Sequence, residues 1–100
     1  MPVLPLLIAA DHPAFAGHFP GRPIVPGVLL LDRALLAIES DTGLRLSGIR
    51  VAKFYSPVGP GEALQLVYAI DSGLAGFEIR CADRKVADGR FLIRQAATGA

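Results

Sequence analysis

Apolar residues fall along this chain in short runs broken by Gly, Pro, Asp and Ser, and the spacing of those runs changes as the chain proceeds. Val3 to Ala10 is a compact apolar run of the kind that forms a buried strand. Asp11 to Gly27 holds four prolines and three glycines, which preclude regular structure. With Phe15 and Phe19 inside it, this segment is too apolar for a linker. A long irregular loop within a compact domain is usually functional. Val28 to Glu39 then reads as a helix opened by Pro26-Gly27 and ended by Ser40-Asp41-Thr42-Gly43, with no internal Gly or Pro. Its apolar positions fall all round the cylinder, which predicts a helix buried on every side.

After the helix the pattern becomes strand-like. Leu46 to Tyr55 alternates until Ser56-Pro57, and Pro60-Gly61 makes a turn. Strands are predicted at Ala63 to Ile70, Phe77 to Ala82 and Arg90 to Gln95, with turns at Asp71-Ser72-Gly73 and Asp88-Gly89. Such short connections imply antiparallel hairpins and a meander. One helix with a run of antiparallel strands predicts an α+β fold, the sheet wrapped around the central helix, in a single domain spanning residues 1–100.

Composition adds a constraint. In 100 residues, 52% are hydrophobic and 19% charged, more apolar material than a small domain hides easily. Self-association is the simplest outlet. A net charge of +1 and the absence of Trp or a basic run argue against nucleic-acid binding. Cys81 is the only cysteine, so no intrachain disulfide forms. The N-terminal run lacks a basic leader and is broken by Pro2 and Pro5, so it reads as a strand rather than a signal peptide. No apolar stretch approaches the roughly 18–20 residues that span a bilayer. These features predict a cytoplasmic protein.

Three residues stand out chemically. Asp32 shares a helix face with Val28, Leu35 and Leu36 at about 100° per residue. A carboxylate buried there without a partner tends to hold a proton and become a donor, whereas on a less buried helix Asp32 simply reaches water. His18 lies among Gly, Pro and Phe ahead of the helix. A lone loop histidine more often just bonds a nearby carbonyl, but neutral imidazole is also the natural base beside a thioester. Gly27 at the helix start either serves helix entry alone or lets a ligand approach free N–H groups at the positive end of the dipole. Together, a base, an acid and an oxyanion donor are the parts required for β-elimination of water.

The stretch Gly17-His18-Phe19-Pro20-Gly21-Arg22-Pro23-Ile24-Val25-Pro26-Gly27-Val28-Leu29-Leu30-Leu31-Asp32 closely resembles the signature of hot-dog-fold 3-hydroxyacyl-[acyl-carrier-protein] dehydratases of bacterial fatty acid synthesis. Asp11-His12-Pro13-Ala14-Phe15 is similar to the lead-in of that family. Lys53-Phe54-Tyr55-Ser56-Pro57-Val58-Gly59-Pro60-Gly61-Glu62 is similar to its strand and turn, and Val86 to Ile93 to its last strands. The resemblance implies that His18 is the base, that Gly27 offers its N–H to the thioester carbonyl and that Asp32 is the acid. It further implies an acyl tunnel beside the helix, formed with Phe19, Pro26, Val28, Leu29 and Leu36. The acyl group would ride on the phosphopantetheine of acyl carrier protein, with no metal or other cofactor. Arg22, Arg33, Arg50 or Lys53 would meet that acidic carrier. The site would be shared between subunits of a homodimer or higher homo-oligomer, with no nucleic acid and no membrane insertion.

Two departures from the pattern matter. Family members usually carry a longer N-terminal part, so this chain reads as a minimal hot dog. The glutamine that follows the acid in the family is replaced within Arg33-Ala34-Leu35-Leu36-Ala37. The short length and the Leu31-Asp32-Arg33-Ala34 run look most like compact dehydratases of polyene-pigment or polyketide-like clusters. Two alternatives accompany the dehydratase reading: a hot-dog acyl thioesterase, and a non-catalytic accessory subunit of a heterodimeric dehydratase.

Overall fold

The structure, a computed structural model, describes residues 2–6, 8, 25–59 and 61–94. The order of elements is β1 (Val3–Leu6), α1 (Gly27–Thr42), β2 (Arg45–Phe54), β3 (Leu64–Asp71), β4 (Leu74–Cys81) and β5 (Arg84–Arg94). All pairings are antiparallel and the strand order is β1-β3-β4-β5-β2. β1 and β2, which flank the helix in sequence, thus form opposite edges of one sheet, and α1 lies across the face between them. β3, β4 and β5 make the predicted meander.

Within the single chain the helix is one-sided, whereas its apolar residues predict burial all round. Leu30, Ala34 and Ile38, spaced by four residues, face the sheet and are buried. They pack in one core with Leu66, Phe77, Ile79 and Phe91 of the strands. On the opposite side Val28, Asp32 and Leu36, with the same spacing, remain exposed, Val28 at 75% and Leu36 at 46%. The apolar residues on the flanks, Leu29, Leu31 and Leu35, are partly buried. Composition could not separate these faces because leucine occupies both.

The C-terminus of the helix is closed by local chemistry. Gly43 takes the left-handed conformation (φ 76°) and donates its N–H to Glu39 O at 2.8 Å. The Glu39 carboxylate accepts the Leu46 N–H at 2.8 Å, which ties the helix end to the start of β2. The Tyr68 hydroxyl of β3 donates to the Asp41 carboxylate and pins the same end to the sheet.

One turn agrees with the sequence and another departs from it. Ser72 and Gly73 both have positive φ (50° and 79°), as a two-residue type I′ hairpin requires, in agreement with the predicted turn. The predicted turn at Asp88-Gly89 is instead interior to β5, where Gly89 pairs with both Phe77 and Ala52. A Cβ on Gly89 would lie 2.3 Å from Val51 O, so this glycine answers a close approach of strands rather than a reversal. The chain reverses at Ala82-Asp83, with Ala82 at φ 56°. β4 consequently begins at Leu74 and β5 at Arg84, earlier than predicted.

Candidate active site

The N-terminus of α1 is the chemically open end. Pro26 precedes it in an extended conformation (φ −60°, ψ 140°) and provides no side-chain cap. Its carbonyl accepts from Leu29 N–H at 3.0 Å and from Leu30 N–H at 3.3 Å. Among the described residues, the N–H groups of Gly27 and Val28 meet no acceptor. Backbone donors at the positive end of a helix dipole suit a negatively charged oxygen.

This end faces a cleft of about 490 Å³ lined by Val25, Gly27, Leu30, Phe54, Tyr55 and the segment Ser56–Val58. The Phe54 ring lies against Gly27: a Cβ there would sit 2.8 Å from Phe54 Cζ. Glycine thus lets the Phe54 ring rest on the helix start, and a larger residue would turn that ring aside. The Val25 N–H donates to Val58 O at 2.8 Å and fixes the residue ahead of the helix to the β2–β3 connection. The Tyr55 N–H donates to Val86 O at 2.8 Å, and the Ser56 hydroxyl to Lys85 O at 2.8 Å, which anchors that connection to β5.

Glu62 organises the rest of the connection. Its carboxylate accepts the Gly59 N–H at 2.6 Å and the Arg84 guanidinium at 3.1 Å, and the Cys81 thiol donates to it at 3.5 Å. The Gly59 N–H, more than the Arg84 charge, holds the Glu62 carboxyl below its ordinary range despite partial burial. A carboxylate with a lowered folded-state pKa stabilises the fold above its unfolded value, and that contribution vanishes as pH falls through the folded value. Hydrogen-exchange protection of the Gly59 amide is therefore expected to decline once pH drops below about 4.3, the ordinary glutamate value. In Glu62→Ala the amide should already be weakly protected at pH 7, with the acid-dependent step gone. An unchanged pH profile in that variant would remove Glu62 from this role.

Of the residues singled out by sequence, Gly27 and Pro26 lie at the mouth of the cleft or beside it. Val28, Asp32 and Leu36 line the exposed stripe of the helix, with Leu29 on its flank. Asp32 thus reaches solvent in the single chain, and the burial inferred from its apolar neighbours is absent there. His18, Phe19 and Arg22 lie outside the described residues. Arg50 and Lys53 are exposed, and Arg33 is half-buried with its Nε enclosed. Burial, aided by the Glu62 carboxylate, pushes the Cys81 thiol up, in keeping with a structural residue. Sequence reasoning missed Phe54, Tyr55 and Ser56–Val58 as cleft residues, although the Lys53 to Glu62 match with the family already marked that segment.

A single helix laid on a five-stranded antiparallel sheet, its glycine start opening on a cleft, is the hot-dog architecture. The chain belongs to the ApeI-like family: the family model described as ApeI dehydratase matches residues 2–90. It is similar to 3-hydroxyacyl-[acyl-carrier-protein] dehydratases FabZ. It is 36% identical over 91 residues to that of Chloroflexus aggregans, covering 82% of this chain and 63% of the relative. To that of Myxococcus xanthus it is 35% identical over 105 residues, covering 85% and 66%. To that of Chlamydia trachomatis serovar D it is 41% identical over 70 residues, covering 59% and 46%. The chain thus spans roughly half to two thirds of the length of these relatives. Among solved structures it is similar to a chain of the dehydratase heterocomplex ApeI:P from Xenorhabdus doucetiae, with a TM-score of 0.80 and 27% identity over 93% of this chain and 86% of that one. A second likeness, to an uncharacterised protein of Erwinia carotovora, has a TM-score of 0.72 and 29% identity over 92% and 81%. No described helix is long and apolar enough to cross a membrane.

Proposed function

We propose that this chain is a dehydratase subunit that converts 3-hydroxyacyl thioesters on acyl carrier protein to trans-2-enoyl thioesters. The observation that carries the reading is the open helix start: the N–H groups of Gly27 and Val28, which meet no acceptor among the described residues, beside an apolar cleft, with Asp32 farther along the same helix. The thioester carbonyl would accept from Gly27 N–H, which stabilises the oxyanion of the enolate. His18 would take the C2 proton. As the enolate collapses to the C2=C3 double bond, the C3–O bond breaks and the hydroxyl leaves as water with the proton of Asp32. Return of the proton from His18 to Asp32 resets the pair.

A second subunit fits this scheme because the stripe of Val28, Asp32 and Leu36 is exposed in one chain. Covering it would take Asp32 out of water, and a carboxyl in apolar surroundings keeps its proton. That a similar chain occurs in a dehydratase heterocomplex supports assembly of this kind. The same fact, with the loss of the family's glutamine after the acid, also favours the accessory-subunit reading.

The deciding experiment incubates the assembled protein with 3-hydroxyacyl carrier protein and weighs the carrier by mass spectrometry. Loss of the mass of one water is expected. Free thiol on the carrier would mean hydrolysis and a thioesterase. Unreacted substrate at every chain length would favour the accessory subunit.

A further inference from the structure

The sheet face turned away from α1 carries a groove of about 580 Å³, bordered by Val51, Lys53, Val67, Ala69, Gly76 and Arg90. These residues alternate along their strands with the core residues Leu66, Tyr68, Ala75, Phe77 and Phe91, so they stand on the opposite face. One cross-strand row makes the floor: Val51 of β2, Arg90 of β5, Gly76 of β4 and Ala69 of β3 stand in register. The rows on either side carry larger side chains, Leu92 and Leu74 on one, and Lys53, Asp88, Glu78 and Val67 on the other. Bare backbone at Gly76 and a single methyl at Ala69 leave the depression between them.

The fold itself does not call for a glycine at position 76. Register runs unbroken through Gly76 on both sides, so it marks no bulge, and its φ is not positive. A Cβ there would meet Ala69 O at 3.8 Å, an ordinary contact, and no other described atom within 4 Å. Gly89 differs, because the Val51 carbonyl crowds it from within the chain. Glycine inside a strand weakens it, and away from bulges and bends it marks a place where another group comes close to the backbone. Among the described residues, nothing in this chain makes that approach at Gly76.

The charges around the groove select the visitor. Its two acids are answered from within: Glu78 by Arg80 at 2.6 Å and Lys85 at 3.9 Å, Asp88 by Lys85 at 2.6 Å and by the Tyr55 hydroxyl. Arg90 and Lys53 are exposed and, among the described residues, form no ion pair. An exposed arginine alone is an ordinary solvated charge. Beside an open floor flanked by Val51 and Val67, it faces a place where an apolar body can lie.

We infer that this groove binds a small amphipathic anion, a carboxylate on a flat apolar body. Arg90 takes the carboxylate through its planar fork of donors, Lys53 adds charge, and the body lies on the backbone of Gly76 and Ala69. The inference goes beyond the proposed dehydration and takes nothing from it, since the groove and α1 are on opposite faces of the sheet.

The test titrates naphthalene carboxylate into the isotope-labelled full chain and follows the backbone amides by NMR. Saturable shifts are expected at Ala69, Gly76 and Arg90, and naphthalene methanol, the uncharged counterpart, should bind on the order of tenfold or more weakly. Arg90→Gln should weaken the carboxylate to a similar degree. Gly76→Val should abolish the shifts with the melting temperature at or above that of the wild type, because a β-branched residue suits a strand and its Cβ has room there. If that variant fails to fold, Gly76→Ala takes its place and should still weaken binding. Tyr55 borders both the groove and the cleft at the helix start, so its amide is left out of the assignment. Shifts confined to Gly27 and Leu30 would move the anion to the cleft and overturn the inference. No saturable shift, equal binding of the alcohol, or unchanged affinity in the folded Arg90 or Gly76 variants would overturn it as well. None of these results bears on the dehydration assay, which judges the proposed function separately.

Discussion

Asp32→Asn is expected to leave the fold intact while lowering dehydration on the order of 10²-fold or more, as loss of a general acid does. The two halves of this expectation come from different observations. Asp32 is exposed on α1, and among the described residues it makes no hydrogen bond or ion pair, so its removal leaves nothing buried unpaired. Surface changes of that kind usually alter stability by less than about 0.5 kcal/mol. The amide has nearly the same shape but no acidic proton for a leaving hydroxyl. Turnover of 3-hydroxyacyl carrier protein and the melting temperature, measured on one preparation, separate the effects. His18→Ala should lower turnover on the same scale by removing the base. If Asp32→Asn keeps full activity, the chemistry belongs to another chain and the accessory reading gains.

The second large effect is structural and does not depend on any assigned activity. Gly89→Ala should destabilise the fold by about 1–3 kcal/mol or more, the cost of overpacking a filled interior. The added Cβ would lie 2.3 Å from Val51 O, 3.0 Å from Ala52 Cα and 3.0 Å from Phe77 Cε1. Two of these neighbours are backbone atoms of β2, and Phe77 is held by stacking on Phe91 at 4.7 Å between ring centroids. The strain can be relieved only by moving β2 off β5. For a domain of this size each kcal/mol lowers the melting temperature by roughly 4–8 °C. Gly48→Ala is the control, since a Cβ there meets nothing within 4 Å. Equal melting temperatures for the two variants would refute the argument. Because β2 ends in Phe54 against Gly27, its displacement would also open the cleft at the helix start.

Gly89 illustrates how far the sequence could be read. Asp88-Gly89 carries turn chemistry, and nothing local distinguishes a glycine that reverses the chain from one that admits a neighbouring strand. The true reversal uses Ala82 in a left-handed conformation, which no composition rule marks. Where the signal was local it served well: Ser72-Gly73 turns as expected, and the helix and the strand at Leu64–Asp71 lie close to their predicted positions. The sidedness of α1 is hidden because Leu29 and Leu36 look the same as Leu30 to any periodicity argument, and the stripe that Asp32 shares with Val28 and Leu36 faces out. Gly27 was legible as part of a motif. Its contact with Phe54 and the bond from Val25 to Val58 join segments far apart in sequence, and such contacts leave no trace in spacing. The expectations for His18 and Phe19 fall outside the described residues.

The two borders of the sheet are built unequally. β1 has four residues, one of them Pro5, which has no N–H to offer a newcomer and whose neighbour in register is Gln65 of β3. β2 offers ten residues and no such interruption. Among the described strands, addition can therefore proceed from one border and terminates at the other. An assembly made by joining such borders closes after a single pairing, because each added chain brings a blunt end outward. The fold in this way admits a discrete complex and denies the open-ended growth that leads from exposed strands to fibres.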